Sequence, residues 1–368
     1  MRVLVVGASG YLGRAVGRVL SADGHRVVEM SRTGKPCHGT FVAGDAHSPG
    51  LGLDAEALGE VGDIEAVVCC IGSVDMGSDP AGVVNVHVNG THNVLDFAAS
   101  IDSVRRVVYV SSVLALGRAS GTITNRDLSR GQSFRNWYEY AKYRGELIAR
   151  RERRVPVSIL RLGTLLGPAP AEVIPRHGGP VAALPHLLSG YPVALADCGR
   201  FPVYAADVDI AARVVRDLVV ADEHRSACTY FDPERPTLAA VLERLCRPWG
   251  VFPKVVDSAG PAWIQRAVAR RFGVQEDVVD YSRPLFEFDP SIFDSLPDPD
   301  IGSRTDYITE TGVALRHSGL LRTPHALGDL RYDGPPALPP AGPGLLLSAA
   351  PGVPPSTPLP FSGPEVLR

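Results

Sequence analysis

Short apolar runs alternate with segments of helical spacing along the first 220 residues. Val3 to Val6 is an apolar run, and Gly7 to Gly13 is a glycine-rich turn. Arg14 to Ala22 has helical spacing, and Arg26 to Met30 reads as a second strand. Ala66 to Ile71 is another strand, and Asn85 to Ser100 reads as a helix with Val88, Val94, Leu95 and Ala98 on its apolar side. Val107 to Val110 is a strand ending at Ser111-Ser112. Tyr138 to Arg151 is a helix, and Val157 to Leu162 is a strand. Strands alternating with helices of about 10–15 residues imply βαβ units and a parallel sheet. Right-handed crossovers wind such units into a doubly wound α/β Rossmann sheet, with its ligand at the carboxyl ends of the strands.

Beyond Gly167-Pro168 the pattern breaks. Pro168, Pro170, Pro175, Pro180 and Pro185 divide the chain into short pieces. Val208 to Val220 restores a helix, and another runs from Thr237 to Leu245. Residues 250–325 mix short helices and loops with Trp263, Phe272, Tyr281, Phe286, Phe288 and Phe293, the expected content of a smaller lobe over the sheet. From Gly334 to Arg368 eleven of 35 residues are proline, too many for a packed core, so a disordered tail is expected. The expected organisation is a nucleotide-binding domain over 1–168 to which 200–230 return. A substrate lobe spans 169–199 and 231–333, and a Pro/Gly-rich tail covers 334–368.

Composition removes several classes of function. The 368 residues are 45% apolar and 21% charged, which excludes disorder of the whole chain. A net charge of −3 supplies no basic field for nucleic acid or an anionic membrane surface. None of the six cysteines forms a CxxC pair and no HExxH occurs, so no metal site is expected. No uncharged apolar stretch approaches about 18 residues, so no membrane span is expected. The opening run is too short for a signal-peptide core, and the expected compartment is the reducing cytoplasm.

The first candidate chemistry is Gly7-Ala8-Ser9-Gly10-Tyr11-Leu12-Gly13, a GxxGxxG turn between a strand and a helix. Gly7 permits the tight turn, Gly10 lets the backbone approach a pyrophosphate, and Gly13 lets helix and strand pack closely. The helix start offers unpaired N–H groups and a positive dipole end to phosphates, so Ser9, Tyr11 and Leu12 join the expected cofactor-binding residues. The second strand ends at Ser31-Arg32. An acid there suits the ribose hydroxyls of NAD, whereas a cation suits the extra phosphate of NADP. Arg32 and Arg14 are the candidate clamps, so NADP(H) is preferred; a shifted register of Glu29 would restore NAD(H). Asp45 and Ala46 either cap the adenine or form a plain turn. Cys69 and Cys70 read as small buried hydrophobes, with Cys70 at the cofactor edge of its strand.

Tyr138 and Lys142 stand at i and i+4 in Tyr138-Glu139-Tyr140-Ala141-Lys142, on one helix face. A nearby ammonium lowers the acidity constant of the phenol from about 10 toward the working range. Such a tyrosine exchanges a proton with a substrate oxygen while hydride moves to or from a nicotinamide. Tyr140 is a rival, but its i+4 partner is Arg144, whose charge is fixed. Ser112 ends the preceding strand, where its hydroxyl meets the reacting oxygen.

Taken together these residues resemble the extended short-chain dehydrogenase/reductase family over roughly residues 1–220. Val3 to Gly13 is similar to its opening, Asn89 to Leu95 to its central helix, and Val108 to Ser112 with Gly117 to its serine strand. Tyr138 and Lys142 match its catalytic pair, Arg161 to Pro168 its RxxxxxGP strand and loop, and Asp207 to Ala211 a later helix start. The resemblance implies a nicotinamide cofactor, Ser112/Tyr138/Lys142 chemistry, a lysine that also holds the nicotinamide ribose, and often a homodimer. Two departures matter. His87 stands where the family usually has an Asn that braces a water chain to the lysine; it either takes over that task, titrates near neutral pH, or is an ordinary helix histidine. Phe201-Pro202-Val203-Tyr204 stands where nucleotide-sugar enzymes usually carry a diphosphate-binding Arg.

The leading expectation is an NADP(H)-dependent oxidoreductase acting on a carbonyl or secondary alcohol of a small substrate. The alternatives are a nucleotide-sugar epimerase or dehydratase with bound NAD, an acyl-thioester reductase, and a non-catalytic NADP-sensing protein.

Overall fold

The computed structural model describes residues 1–321 apart from 35–36, 73–79, 176–178, 191–192, 196–201, 223–226, 254, 258–262, 264–280, 282–285, 300, 303, 305 and 320. The expected tail over 334–368, together with Phe201 and Phe272, lies outside the described residues. The strands are β1 (Arg2–Val6), β2 (Arg26–Ser31), β3 (Thr40–Ala43), β4 (Ala66–Cys69), β5 (Arg106–Ser112), β6 (Gly121–Ile123) and β7 (Val157–Leu162). They continue with β8 (Thr164–Leu166), β9 (Val193–Leu195), β10 (Ala205–Asp207), β11 (Cys228–Tyr230), β12 (Val255–Asp257) and β13 (Phe286–Phe288). The helices are α1 (Tyr11–Ala22), α2 (Ala55–Val61), α3 (Pro80–Val84), α4 (Gly90–Ala99), α5 (Trp137–Arg151), α6 (Leu184–Leu188), α7 (Val208–Val220) and α8 (Leu238–Cys246), followed by a further helix, Tyr307–His317.

Seven strands form one parallel sheet in the order β11-β7-β5-β4-β1-β2-β3. The chain runs from β1 out to β3, then crosses back to β4 on the other side of β1. That reversal makes the carboxyl ends of β1 and β4 the crevice where ligands bind in doubly wound folds. Both sheet faces are covered, which is why its strands are apolar throughout rather than alternating. Val3, Val5 and Val27 point into the core shared with α1 and α7, whereas Leu4, Val6, Val28 and Met30 point into the core shared with α2 and α4.

Two differences from the sequence reading bear on the site. The β4 strand ends at Cys69, not Ile71, so Cys70 lies on the crevice edge and is half-buried, while Cys69 is buried as expected. The helix expected from Asn85 begins at Pro80 and contains a π turn over Asn85–Asn89. His87, not Val88, is its fully buried residue there. In the later region, Phe286, Phe288 and Phe293 pack with Tyr204 and Phe231 into an aromatic cluster, so these are core side chains. Three short parallel pairs, β8 with β10, β9 with β12 and β6 with β13, complete the strands.

Candidate active site

The glycine turn joins β1 to α1 at the mouth of the crevice. Gly7 has φ +88°, a left-handed conformation that favours glycine, and a Cβ there would stand 2.9 Å from the Cys70 carbonyl oxygen. At Gly13 a Cβ would fall 2.2 Å from the Gly7 carbonyl oxygen, so that glycine is what allows α1 to sit on the turn. Gly10 is the N-cap of α1, with no side chain bonding the helix end and no acid in its first turn. Ser9 and Gly10 are exposed. This cradle fits a dinucleotide pyrophosphate: backbone N–H groups and the helix dipole face an anion, and nothing at Gly10 blocks its approach.

The remaining expected cofactor residues are placed with distinct tasks. Tyr11 and Leu12 are buried, and the Tyr11 hydroxyl donates to the Gly167 carbonyl at 2.8 Å, which leaves only their backbone for a ligand. Burial, with Asp207 and Asp209 nearby, pushes the Tyr11 phenol up. Arg14 Nε donates to the Ser9 carbonyl at 3.2 Å and so braces the turn. Arg32 is exposed at the end of β2. Asp45 accepts from the His47 backbone at 3.1 Å and from its ring at 2.6 Å. Burial alone would raise the Asp45 carboxyl; the His47 bonds, with Arg32 beside them, hold it below the usual range. The Ala46 carbonyl accepts from Asn93 at 2.8 Å. Glu29 is buried, and its carboxylate accepts from the Cys37 and His38 backbone N–H groups.

Ser112, Tyr138 and Lys142 come together at the carboxyl end of β5. Ser112 caps the short helix Val113–Leu116 by accepting from the Leu114 N–H at 3.1 Å. Asn136 caps α5 by accepting from Glu139 N–H at 3.0 Å, which sets Tyr138 on its first turn. Tyr138 is buried and hydrogen-bonded by Ser112. The His87 ring meets the Tyr138 ring edge-on at 5.4 Å. Lys142 is buried, and its Nζ donates to the Val110 carbonyl at 3.2 Å. A Cβ on Gly72 would lie 3.2 Å from the His87 ring and 3.7 Å from Lys142 Nζ, so both side chains reach the carboxyl end of β4, beside the glycine turn.

The acidities differ from the sequence expectation. Burial pushes the Tyr138 phenol up to about 12, with the Ser112 hydrogen bond pulling the other way. Burial pulls the Lys142 ammonium down to about 8, against the opposing pull of Cys69, Cys70 and Glu146. Helical spacing places the two side chains on one face, but Lys142 Nζ bonds the Val110 carbonyl, and burial dominates at the phenol. Tyr138 is therefore protonated at neutral pH, the form that gives a proton away.

Glu146, one turn beyond Lys142, is a residue that the sequence reading missed. It is fully buried and accepts from Arg161 through both oxygens, at 2.7–3.1 Å, and from the Ser111 hydroxyl at 2.7 Å. Arg150 adds a bond at 3.0 Å. Burial alone would raise the Glu146 carboxyl; Arg161, then Arg150 and Ser111, hold it below its usual range. The network fastens α5 to β5 and β7. The YxxxKxxxE spacing on one helix face was its signal. Glu139 is anchored similarly, to Arg135 at 2.8 Å and to the Tyr281 hydroxyl at 2.8 Å.

The later segment returns to the sheet through Asp207, which N-caps α7 and is clamped by Arg304 at 2.8 Å. Gly167 N–H donates to Thr311 at 2.6 Å, and the Tyr307 hydroxyl donates to Asp232 at 2.8 Å. Among the described residues no three His, Cys, Asp or Glu side chains form a metal-holding group, and no helix is long and apolar enough to cross a membrane.

Known proteins resemble this chain in sequence and in fold. The profile of the NAD dependent epimerase/dehydratase family matches residues 3–230. The chain is 27% identical over 170 residues to a dTDP-6-deoxy-L-talose 4-dehydrogenase (NAD(P)(+)) of Kitasatospora kifunensis, covering 45% of this chain and 53% of that protein. It is 26% identical over 191 residues to a 2-alkyl-3-oxoalkanoate reductase of Stenotrophomonas maltophilia (strain K279a), covering 48% and 54%. The chain thus spans about half the length of these curated relatives. Among solved structures, the terminal R domain from the myxalamid PKS-NRPS biosynthetic pathway superposes with a TM-score of 0.70 at 18% identity, covering 88% of this chain and 92% of that one. At that identity the likeness speaks for the fold.

Proposed function

The chain belongs to the NAD dependent epimerase/dehydratase family, and we propose that it is an NADP(H)-dependent oxidoreductase interconverting a carbonyl and a secondary alcohol of a small substrate that is not a sugar nucleotide. The observation that carries this reading is the meeting of Ser112, Tyr138 and Lys142 next to the glycine turn. A nicotinamide dinucleotide held by its pyrophosphate at that turn would supply or take the hydride. Tyr138 gives its proton to the substrate oxygen during reduction, and Ser112 donates a hydrogen bond to the same oxygen. Lys142 offsets the negative charge that develops on the phenol oxygen. Arg32, with no acid at the end of β2, supports NADP over NAD. Kinship to an oxoalkanoate reductase supports a carbonyl substrate.

The test is NADPH oxidation over a panel of ketones, aldehydes and 3-oxoalkanoates. Tyr138→Phe should lower turnover about 10²–10⁴-fold while leaving NADPH affinity unchanged. Full turnover by that variant would rule out the mechanism. Kinship to a dTDP-sugar dehydrogenase favours a second reading, sugar-nucleotide chemistry with retained NAD. Cofactor released by heating the purified protein separates the two, since tightly held NAD⁺ with no net oxidation favours the second.

A further inference from the structure

Glu29 lies in the middle of β2 among valines, with its side chain almost wholly buried. Alternation along the strand turns Val27, Glu29 and Ser31 toward α1, and Val28 and Met30 toward the opposite face. A buried carboxylate needs donors. Glu29 finds them in the segment that follows its own strand: it accepts from the Cys37 backbone N–H at 2.6 Å and from the His38 backbone N–H at 3.2 Å. Helix α1 makes room for this, because a Cβ on Gly17 would stand 3.0 Å from Glu29 Oε1.

The other end of the same segment is also pinned. The Ser31 hydroxyl donates to the Thr33 carbonyl at 2.9 Å, and a Cβ on Gly34 would stand 3.8 Å from Ser9 in the glycine turn. Arg32 thus leaves the strand between two fixed points, with the glycine turn on one side and Asp45 within its electrostatic reach on the other. Arg32 is exposed just past the carboxyl end of β2, the strand whose end lies beside the adenosine half of a dinucleotide in this fold.

We infer that Glu29 is a positioning residue for cofactor selectivity, holding the segment that carries Arg32 so that the guanidinium meets a phosphate on the adenosine ribose. The inference rests on the nicotinamide-cofactor reading above and adds to it the pair Glu29 and Gly17, neither of which touches the ligand. Glu29 itself is committed to Cys37 and His38, so it is not available to bond ribose hydroxyls.

Two soluble probes that differ by a single ribose phosphate, 2′,5′-ADP and 5′-AMP, test this by calorimetric titration of the full chain. Wild type should prefer 2′,5′-ADP, and Arg32→Ala should lose that preference. Glu29→Gln should lower 2′,5′-ADP affinity about tenfold, the worth of one charge-assisted hydrogen bond, and change 5′-AMP affinity less than about twofold. Gly17→Ala, whose Cβ displaces the carboxylate, should move the ratio in the same direction. If wild type shows the preference but both variants keep it, or lose affinity for the two probes equally, the role of Glu29 falls and the NADP reading stands. If wild type does not distinguish the probes, the NADP reading falls and takes the inference with it.

Discussion

Replacing Arg161 with Met removes one side of the buried ion pair that seats the Tyr138 helix. The guanidinium is fully buried and donates to both oxygens of Glu146 as well as to the Asp127 carbonyl. Methionine fills much of the volume but leaves a carboxylate in the core. Breaking a buried pair by removing one partner costs about 3–5 kcal/mol. Ser111 and Arg150 still donate to Glu146, so the lower end of that range, about 3 kcal/mol, is expected. Adding Glu146→Gln removes the stranded charge and should recover a large part of the loss. In wild type the Glu146 carboxyl is held low, so it contributes stability above its unfolded value, about 4.3, and that contribution fades as pH falls through the lower folded value. Without Arg161, burial dominates and the carboxyl moves up. The penalty is then full at neutral pH and relieved as acid protonates the group. The gap between Arg161→Met and wild type should therefore be widest near pH 7.5 and should narrow toward pH 5. Urea denaturation followed by circular dichroism reads both quantities. A loss under about 1 kcal/mol, or a gap independent of pH, would refute the assignment of Glu146 as a charged, Arg161-dependent anchor.

Lys142→Met should stabilise the cofactor-free chain at pH 7 by on the order of 1–3 kcal/mol, because the buried ammonium is pulled down to about 8. That gain is full below pH 8, fades as pH rises toward 10.5, and is measured by thermal melts across the range; an advantage unchanged at pH 10.5 would contradict it. Gly10→Ala and Gly13→Ala should part company. A Cβ on Gly10 meets only the Gly7 carbonyl at 3.3 Å, so that variant should fold and lose NADPH affinity, whereas Gly13→Ala should lose stability as well. Equal melting temperatures for the two would speak against the packing assigned to Gly13.

The elements nearest the cofactor were the most legible, because their signals are local. A strand, three glycines and a helix start specify the turn, and alternation between strands and helices specifies the parallel sheet. Tyr138, Lys142 and Ser112 were found by spacing, yet the direction of the Tyr138 shift was not. Spacing reports that two residues share a helix face, while acidity depends on burial and on where each side-chain tip points. Glu146 and Arg161 lie fifteen residues apart on different elements, so their pairing depends on how α5 crosses β7. Glu29 entered the sequence reading only through a register shift that would restore NAD(H), and the missing Cβ at Gly17 that receives it is a tertiary fact. The helix Tyr307–His317 was merged into an irregular lobe, although Ile308, Thr311 and Leu315 carry helical spacing and are buried.

Tyr230 closes the last strand of the sheet, but the sheet's polar accounts are not closed there. Asp207 and Asp232 are buried, and their partners Arg304 and Tyr307 lie far downstream, as does Thr311, which receives the Gly167 N–H. A chain ending at Asp232 would own all seven strands and still lack the downstream partners of three buried groups, Asp207, Asp232 and the Gly167 N–H, at about 1–3 kcal/mol each and more for the charged ones. During synthesis those partners arrive roughly 80 residues later, about 4–16 seconds at ordinary elongation rates. The nucleotide-binding half is thus first in sequence, while three of its buried groups wait for a segment that begins at Arg304.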